Sequence, residues 1–339
     1  MDYINYVKQS PMAGLTGMTG GAGGLNFHHT ASGGGGGGGS FVNGGARGIV
    51  AGGYDPNDVN TIDYVNISNA GNFTDFGDMQ APRRAVGCCS NRSRMCIGGG
   101  FDQNTHEGDY YQNLIDYITT SSTGNASDFG DLTVKRYALS ALSNGTRGVW
   151  ANGQNNTQDP SVYKDIMDYV TIASTGNASD FGDTTYSGRA IWCAANDTRG
   201  LIGGGNEQTN RIEYITVANT GNASDFGDML DSLYGYIAAS ASATRAVYTG
   251  GRNGPTNVMG YMTIDTTGNA TDFGDMYAGR DGHGACTNGT RMLSTGGTTA
   301  ASSYVVDVEY ITVANTGNGT DFGDLTQGRW YTAASSGNA

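Results

Sequence analysis

Lysine is nearly absent from this chain. Of 339 residues only Lys8, Lys135 and Lys164 are lysine, and 18 Lys and Arg are set against 31 Asp and Glu, for a formal net charge of −13. So acidic a surface gains nothing from neutralising phosphates, which argues against nucleic acid or an anionic membrane as a partner. No apolar run approaches the ~18 residues of a membrane-spanning helix, and no basic stretch followed by an apolar one opens the chain, so neither membrane insertion nor a standard secretion signal is expected. Histidine is equally scarce: His28, His29, His106 and His283 form no His-Glu-x-x-His motif, and no Gly-x-Ser-x-Gly is present. The five cysteines, Cys88, Cys89, Cys96, Cys193 and Cys286, lie at no metal-ligand spacing and suggest no disulfide framework. They read as small buried residues, with adjacent Cys88 and Cys89 pointing to opposite faces of one strand.

Glycine, by contrast, is extreme at 57 residues. Much of it belongs to one octet, Gly-Asn-x-(Ser/Thr)-Asp-Phe-Gly-Asp, which occurs at 71–78, 124–131, 176–183, 221–228, 268–275 and 317–324. Such self-similarity overrides any count of domains from length alone. Each unit opens on an Arg-led run ending in small residues and glycine, as in 47–53, with starts at Arg47, Arg94, Arg147, Arg199, Arg245 and Arg291. An alternating segment centred on Tyr64, Tyr117, Tyr169, Tyr214, Tyr261 or Tyr310 follows, and alternation marks a strand with two different faces. In the octet, Asn-x-Ser/Thr is expected to act as turn chemistry, with the preceding Gly supplying a positive φ for a tight hairpin. Phe76, Phe129, Phe181, Phe226, Phe273 and Phe322 are the expected anchors between adjacent sheets. A run of small residues closes each unit, such as 138–143 or 236–241, and suits a crowded place where strands converge. Arg84, Arg136, Arg189, Arg280 or Arg329 precedes five of the six such runs.

Strands of this order, small-residue, Gly-Gly, Tyr and aromatic, resemble the kelch repeat of β-propellers. The Arg-to-Arg spacings of 47, 53, 52, 46 and 46 sit close to that repeat's period of about 50. The resemblance covers 47–339 and is carried by the paired glycines and the Arg before the inner strand; it departs where Phe replaces the usual Trp. It implies an all-β, six-bladed kelch-like β-propeller, with an irregular Gly-rich N-terminal arm at 1–46. Because the repeat is entered at a Gly-Gly strand and left at a small-residue strand, residues 329–336 are expected to complete the first blade, removing two open sheet edges. The wording of the units, as in Tyr-Ile-Thr-Val-Ala-Asn-Thr-Gly-Asn-Ala-Ser-Asp-Phe-Gly-Asp at 214–228, is also similar to repeat proteins of tailed bacteriophages of aquatic bacteria. So is the leader Leu-Thr-Gly-Met-Thr-Gly-Gly at 15–21. That likeness implies a virion protein, oligomeric in the assembled particle.

The arm reads either as a flexible linker, given seven consecutive glycines at 33–39, or as an attachment segment in which Leu15, Met18, Leu25 and Phe27 contact other virion proteins. Asp-Phe-Gly matches a kinase metal-binding triplet, but six copies at one structural position assign it to the scaffold. Asn-x-Ser/Thr is also a glycosylation sequon, which the missing secretion signal disfavours. Asp75 and Asp78 with Asn72 suggest a calcium site, against which capping of backbone groups is the simpler role. No cofactor is expected. An axial-cleft enzyme would draw on His283 or Arg280, yet the inner strands are monotonously small and neutral. Variable loops after the Gly-Gly strands share one face, where Tyr54, Phe101, Tyr110, Tyr111, Tyr163 and Tyr304 are candidate contacts for a protein or a host surface glycan. Packing over the blade tops is the alternative for those rings.

Overall fold

The computed structural model describes residues 45–338, apart from 106–109, 156–161, 207–208, 234, 253–254 and 301–303. The expected attachment residues Leu15, Met18, Leu25 and Phe27, the seven-glycine tract, His28, His29 and His106 all lie outside the described residues. From Arg47 onward the described chain is all-β, in six antiparallel sheets built on one plan. The second blade shows it: Gly87–Ser90 is innermost, Arg94–Gly98 next, then Leu114–Thr119, with the octet strand Ser127–Asp131 outermost. The third blade adds a two-residue strand, Gln154–Asn155, beside its third strand.

The first blade is completed by the end of the chain. Ala333–Gly337 pairs antiparallel with Arg47–Ala51, Arg47 opposite Gly337 and Ala51 opposite Ala333. The expected closure is therefore present: the strand starts later than the segment anticipated at 329–336 and ends one residue beyond it. The six inner strands then contact one another in an unbroken circle. Small side chains permit that convergence. Cys88 and Cys89 do face opposite sides of their sheet, into two separate inter-blade cores, and all five cysteines are buried and free.

The octet behaves differently from expectation, and the reason is geometric. The hairpin turn lies before it, where Asn69 N–H donates to the Asn66 carbonyl and the Asn66 side chain accepts from Ser68 N–H. The octet itself joins neighbouring blades. Gly124 N–H donates to Phe76 O (2.7 Å), Ala126 N–H to Asp78 O (2.8 Å), and the Asn125 side-chain oxygen accepts Asp78 N–H (3.1 Å). The same three bonds recur around the ring, ending with blade one stitched to blade six: Gly71 to Phe322, Phe73 to Asp324, and Asp324 N–H to Asn72. Thus the Asn caps a backbone group in the preceding blade of the ring rather than in its own turn.

Two further details explain the wording Asp-Phe-Gly. In each blade Phe is the extra residue of a β-bulge: Ile62 faces Gly77 while Asp63 faces Asp75. The bulged ring turns inward, 2% exposed for Phe76, and packs edge-on against Tyr64 with centroids 5.7 Å apart. Gly77 follows at φ 143°, and a Cβ there would sit 2.5 Å from the Gly124 carbonyl oxygen of the next blade. Only glycine allows that approach.

Arginine serves the scaffold in two ways. Arg47, leading the Gly-Gly strand, lies 4.4 Å over the Tyr64 ring and donates to Thr120 O in the following blade, an arrangement repeated from Arg94 to Arg291. A second set is fully buried: Arg83–Asp116, Arg136–Asp168 and Arg329–Asp63 at 2.6 Å, and Arg280–Glu309 at 2.7 Å. Among the residues anticipated before the inner strands, Arg84 and Arg189 are not of this set; Arg83 fills the position next to Arg84.

Blades four and five lack the pair and show what replaces it. In blade four the Tyr186 hydroxyl donates to Gly204 O, the counterpart of the carbonyl that Arg83 reaches at Gly99. In blade five Gly260 stands where the carboxylate would be, and a Cβ on it would meet the Tyr248 hydroxyl at 2.4 Å. That hydroxyl accepts Leu230 N–H, as Asp116 accepts Gln80 N–H in blade two. Each exchange keeps the buried polar groups bonded.

Candidate binding face

The six blades act as internal controls for one another. Where all copies agree, the scaffold accounts for the residue; where one departs without changing the backbone, it does not. Departures concentrate on the face carrying the blade-to-blade links and the loops after the Gly-Gly strands. The opposite face carries uniform turns such as Asn91–Arg94, where the Asn side chain accepts two backbone N–H groups.

Links and loops meet through short backbone bridges: Tyr54 with Trp330, Phe101 with Arg84, Gln154 with Tyr137, and Thr298 with Asp281. Just inside them, at the mouth of the axial channel, one residue per blade is left-handed: Ala85, Ala138, Ala190, Tyr236, Gly282 and Tyr331, with φ between 51° and 63°. Their backbones form a ring, Ala85 N–H donating to Tyr331 O, Ala138 to Ala85, Ala190 to Ala138, Tyr236 to Ala190 and Gly282 to Tyr236, with Thr332 N–H reaching Gly282 O. For a residue bearing a Cβ this conformation costs about 1–2 kcal/mol. The ring of bonds holds it in place.

The six aromatic residues singled out from sequence all lie on this face and are half-buried, linked through side chains that were not. Tyr304 meets Tyr54 edge-on at 5.9 Å. Arg84 sits between the Tyr54 and Phe101 rings, 4.9 and 4.2 Å from their centroids, and is held by Asp58 at 2.6 Å. Phe101 stacks on Tyr110 (5.3 Å) and touches Tyr111, which leans on Tyr137 (5.1 Å). Arg189 bonds to the Tyr137 hydroxyl and to Gln154, and lies 5.7 Å from the Tyr163 ring. The result is a continuous tract of rings and guanidinium groups spanning three blades and reaching a fourth at Tyr304. The rings pack on one another, as the packing alternative expects, yet keep exposed surface.

A second aromatic group was missed. Trp330 stacks on Tyr331 (3.6 Å, 22° between planes), and Tyr236 packs against Tyr331 at 4.7 Å. Trp330 Nε1 donates to Asp281 (2.8 Å), whose other oxygen lies 3.5 Å from Arg252 Nε, and Arg252 rests 5.2 Å from both the Tyr236 and Trp330 centroids. Burial raises the Asp281 carboxyl, and burial together with neighbouring Tyr236 pushes the Tyr331 phenol far above its ordinary range. The available signal was the break in the repeat: Trp330 and Tyr331 stand where other links carry Arg84-Ala85 or Arg189-Ala190.

The channel itself holds two small axial cavities, about 100 Å3 toward this face and about 60 Å3 toward the other, lined by the inner strands. His283, expected on an inner strand, lies one residue before Gly284–Thr287. It is 4% exposed, shares a 2.8 Å bond between Nε2 and Thr249 Oγ1, and burial and nearby Arg280 lower its pKa to about 3. Arg280 is committed to Glu309 as one of four equivalent buried pairs. Among the described residues no group of three or more His, Cys, Asp or Glu side chains is gathered as metal ligands. A rigid propeller with its sequence variation gathered on one face is consistent with a binding or protein-interaction role. No protein-family model and no curated protein matches the chain.

Proposed function

We propose that this chain is a non-enzymatic structural and interaction protein of a tailed-phage virion, a tail-fibre, tail-tip or head-decoration propeller of kelch-like type. In this reading residues 1–46 attach it to other virion proteins, and the loop face is presented outward to a host or protein partner. The observation that carries the reading is polarity. Repeat-breaking residues gather on the loop face, whereas the first described strand begins at Arg47 opposite Gly337, the end of the closing strand, both on the turn face. The variable loops thus lie on the face opposite to the one where the first and last described strands of blade one pair at Arg47 and Gly337. The phage assignment rests on the likeness of the repeat wording and of the leader.

Absence of catalysis is part of the proposal and is supported by what the titratable side chains already do. His283 and Arg280 are engaged by Thr249 and Glu309 within the scaffold. Deleting residues 1–40 is expected to leave a folded propeller, with an unchanged β-sheet circular dichroism spectrum and melting profile, that is lost from purified particles. Normal incorporation of the deleted protein would overturn the attachment role, and electron microscopy of the particle locates the wild-type chain.

A second reading, a lectin or adhesin recognising host surface glycans, is favoured by one observation: the unbroken aromatic tract from Tyr304 to Tyr163, since rings with adjacent hydrogen-bonding groups suit sugars. A glycan array, read with and without calcium, tests it.

A further inference from the structure

The left-handed ring at the channel mouth presents a problem that its own symmetry sharpens. Glycine is the residue best suited to that conformation, and blade six uses it at Gly282. Blades five and one carry Tyr236 and Tyr331 at the same position, with φ 56° and 57°. Nothing in the repeated scaffold calls for a tyrosine there, because alanine fills the site in blades two, three and four. Gly282 is itself informative: a Cβ on it would lie 2.1 Å from Trp330 Nε1, so the missing side chain makes room for the indole. Three departures from the repeat therefore serve one arrangement. They bring Trp330, Tyr331 and Tyr236 together on one side of the mouth, opposite the low wall of Ala85, Ala138 and Ala190.

We propose that Tyr236, Trp330 and Tyr331, with Arg252 and Asp281, form a carbohydrate site at the loop-face mouth of the axial channel, taking a single pyranose residue. A pyranose has a weakly apolar C–H face and a rim of hydroxyls, and the mouth offers both complements. The rings supply the flat apolar surface. The two phenols and the half-exposed Arg252 guanidinium supply acceptors and donors at its edge, while buried Asp281 holds the Trp330 indole and Arg252 in place. The axial cavity that Tyr236 and Tyr331 line, about 100 Å3, is small and concave, suited to part of a sugar rather than to a protein surface. An extended peptide fits poorly, since strand addition needs unpaired backbone and the adjoining loops are already bridged at Tyr54–Trp330 and Thr298–Asp281.

This site rests on the loop face being a binding face, and names its ligand class. The test uses the full chain and its own fluorescence. Trp150 is fully buried, and Trp192, though buried, lines the same axial cavity, so a change in tryptophan emission on adding ligand reports the mouth and its cavity, and loss of the change in Trp330→Phe assigns it to Trp330. Glucose, galactose, mannose, N-acetylglucosamine and their disaccharides are titrated to about 20 mM, well above the millimolar constants of weak single-sugar sites. At least one should give a saturable change, weakened at least about tenfold in the Tyr236→Gly/Tyr331→Gly variant. That variant places in two blades the residue blade six already uses, so it relieves the left-handed strain while giving up the ring packing on Trp330, and the propeller should still fold. A response that survives in it overturns the site, as does the lack of a saturable response to every sugar. Should the double glycine variant not fold, Tyr236→Phe/Tyr331→Phe keeps both rings and removes both hydroxyls; binding unaltered by it overturns the site equally. Attachment of the wild-type protein to host cells without any sugar response refutes this site alone and leaves the interaction role standing.

Discussion

His283 stands where the other five blades carry Val86, Leu139, Ile191, Ile237 and Thr332, none of them titratable. Its folded-state pKa of about 3 lies below the ordinary value of 6.5, so between those values the unfolded chain binds the proton and the folded one does not. Stability must then fall as pH drops below 6.5, by up to about 1.4 kcal/mol per pH unit, and no further loss accrues below the folded value. His283→Leu restores the side chain of blade three and removes this dependence, while Thr249 Oγ1 keeps its contact with Ser294 Oγ (3.3 Å). Urea titrations between pH 7 and pH 4 are expected to show wild type losing stability relative to the variant, by ~1 kcal/mol or more at the acid end. Parallel curves would mean that the ring is solvated or charged in the fold.

Among elements, the octet strand carries most of the instruction for assembly. Its two glycines look alike in sequence and differ in surroundings. A Cβ at Gly71 meets nothing within 4 Å, whereas one at Gly77 meets the neighbouring Gly124 backbone at 2.5 Å. Gly77→Ala is therefore expected to cost about 2–4 kcal/mol in urea denaturation, since the clash is with main chain that is itself bonded across the seam. Gly71→Ala should cost less than half as much; equal costs would refute the close approach as the reason for the second glycine. The octet was fully visible in the sequence, and so was its Phe as an anchor. Its Asn was misassigned because short polar side chains before a strand are read as local turn formers, and a bond to the preceding blade, 47 residues away for Asn125 and Asp78, leaves no local signature. Arg83 was overlooked for Arg84 for the same reason: adjacent arginines are distinguishable only once Asp116 is known to lie beside one of them.

For the whole molecule, six sheets and their closure could be read in advance because repetition supplies what a single strand cannot, namely its neighbours. The face that varies was equally legible, from loop length and from aromatic residues in the loops. The channel-mouth group of Trp330, Tyr331 and Tyr236 was not, since these residues are separated by 94 positions and are united only by ring closure. Removing residues 329–339 deletes the inner strand of blade one and leaves Asp63 without Arg329, a buried charge whose loss of partner alone costs about 3–5 kcal/mol. The truncated protein is expected to unfold at markedly lower urea and in more than one step, and a synthetic peptide spanning 329–338 should restore a single transition. Unchanged cooperativity would show that the rim bonds from Gly71 to Phe322 suffice to hold the circle.

The pairing of Arg47–Ala51 with Ala333–Gly337 also sets a timetable. A ribosome releases the waiting edge of blade one before the other described strands of the ring and its partner after them. Until Ala333–Gly337 emerges, the nascent fan therefore exposes one ladder of unsatisfied amides and carbonyls. A stop or a clip before Ala333 leaves that ladder available to the strands of another chain. The closing strand thus acts as a checkpoint: a chain that has reached Gly337 conceals the edge, and one that stops short of it advertises it.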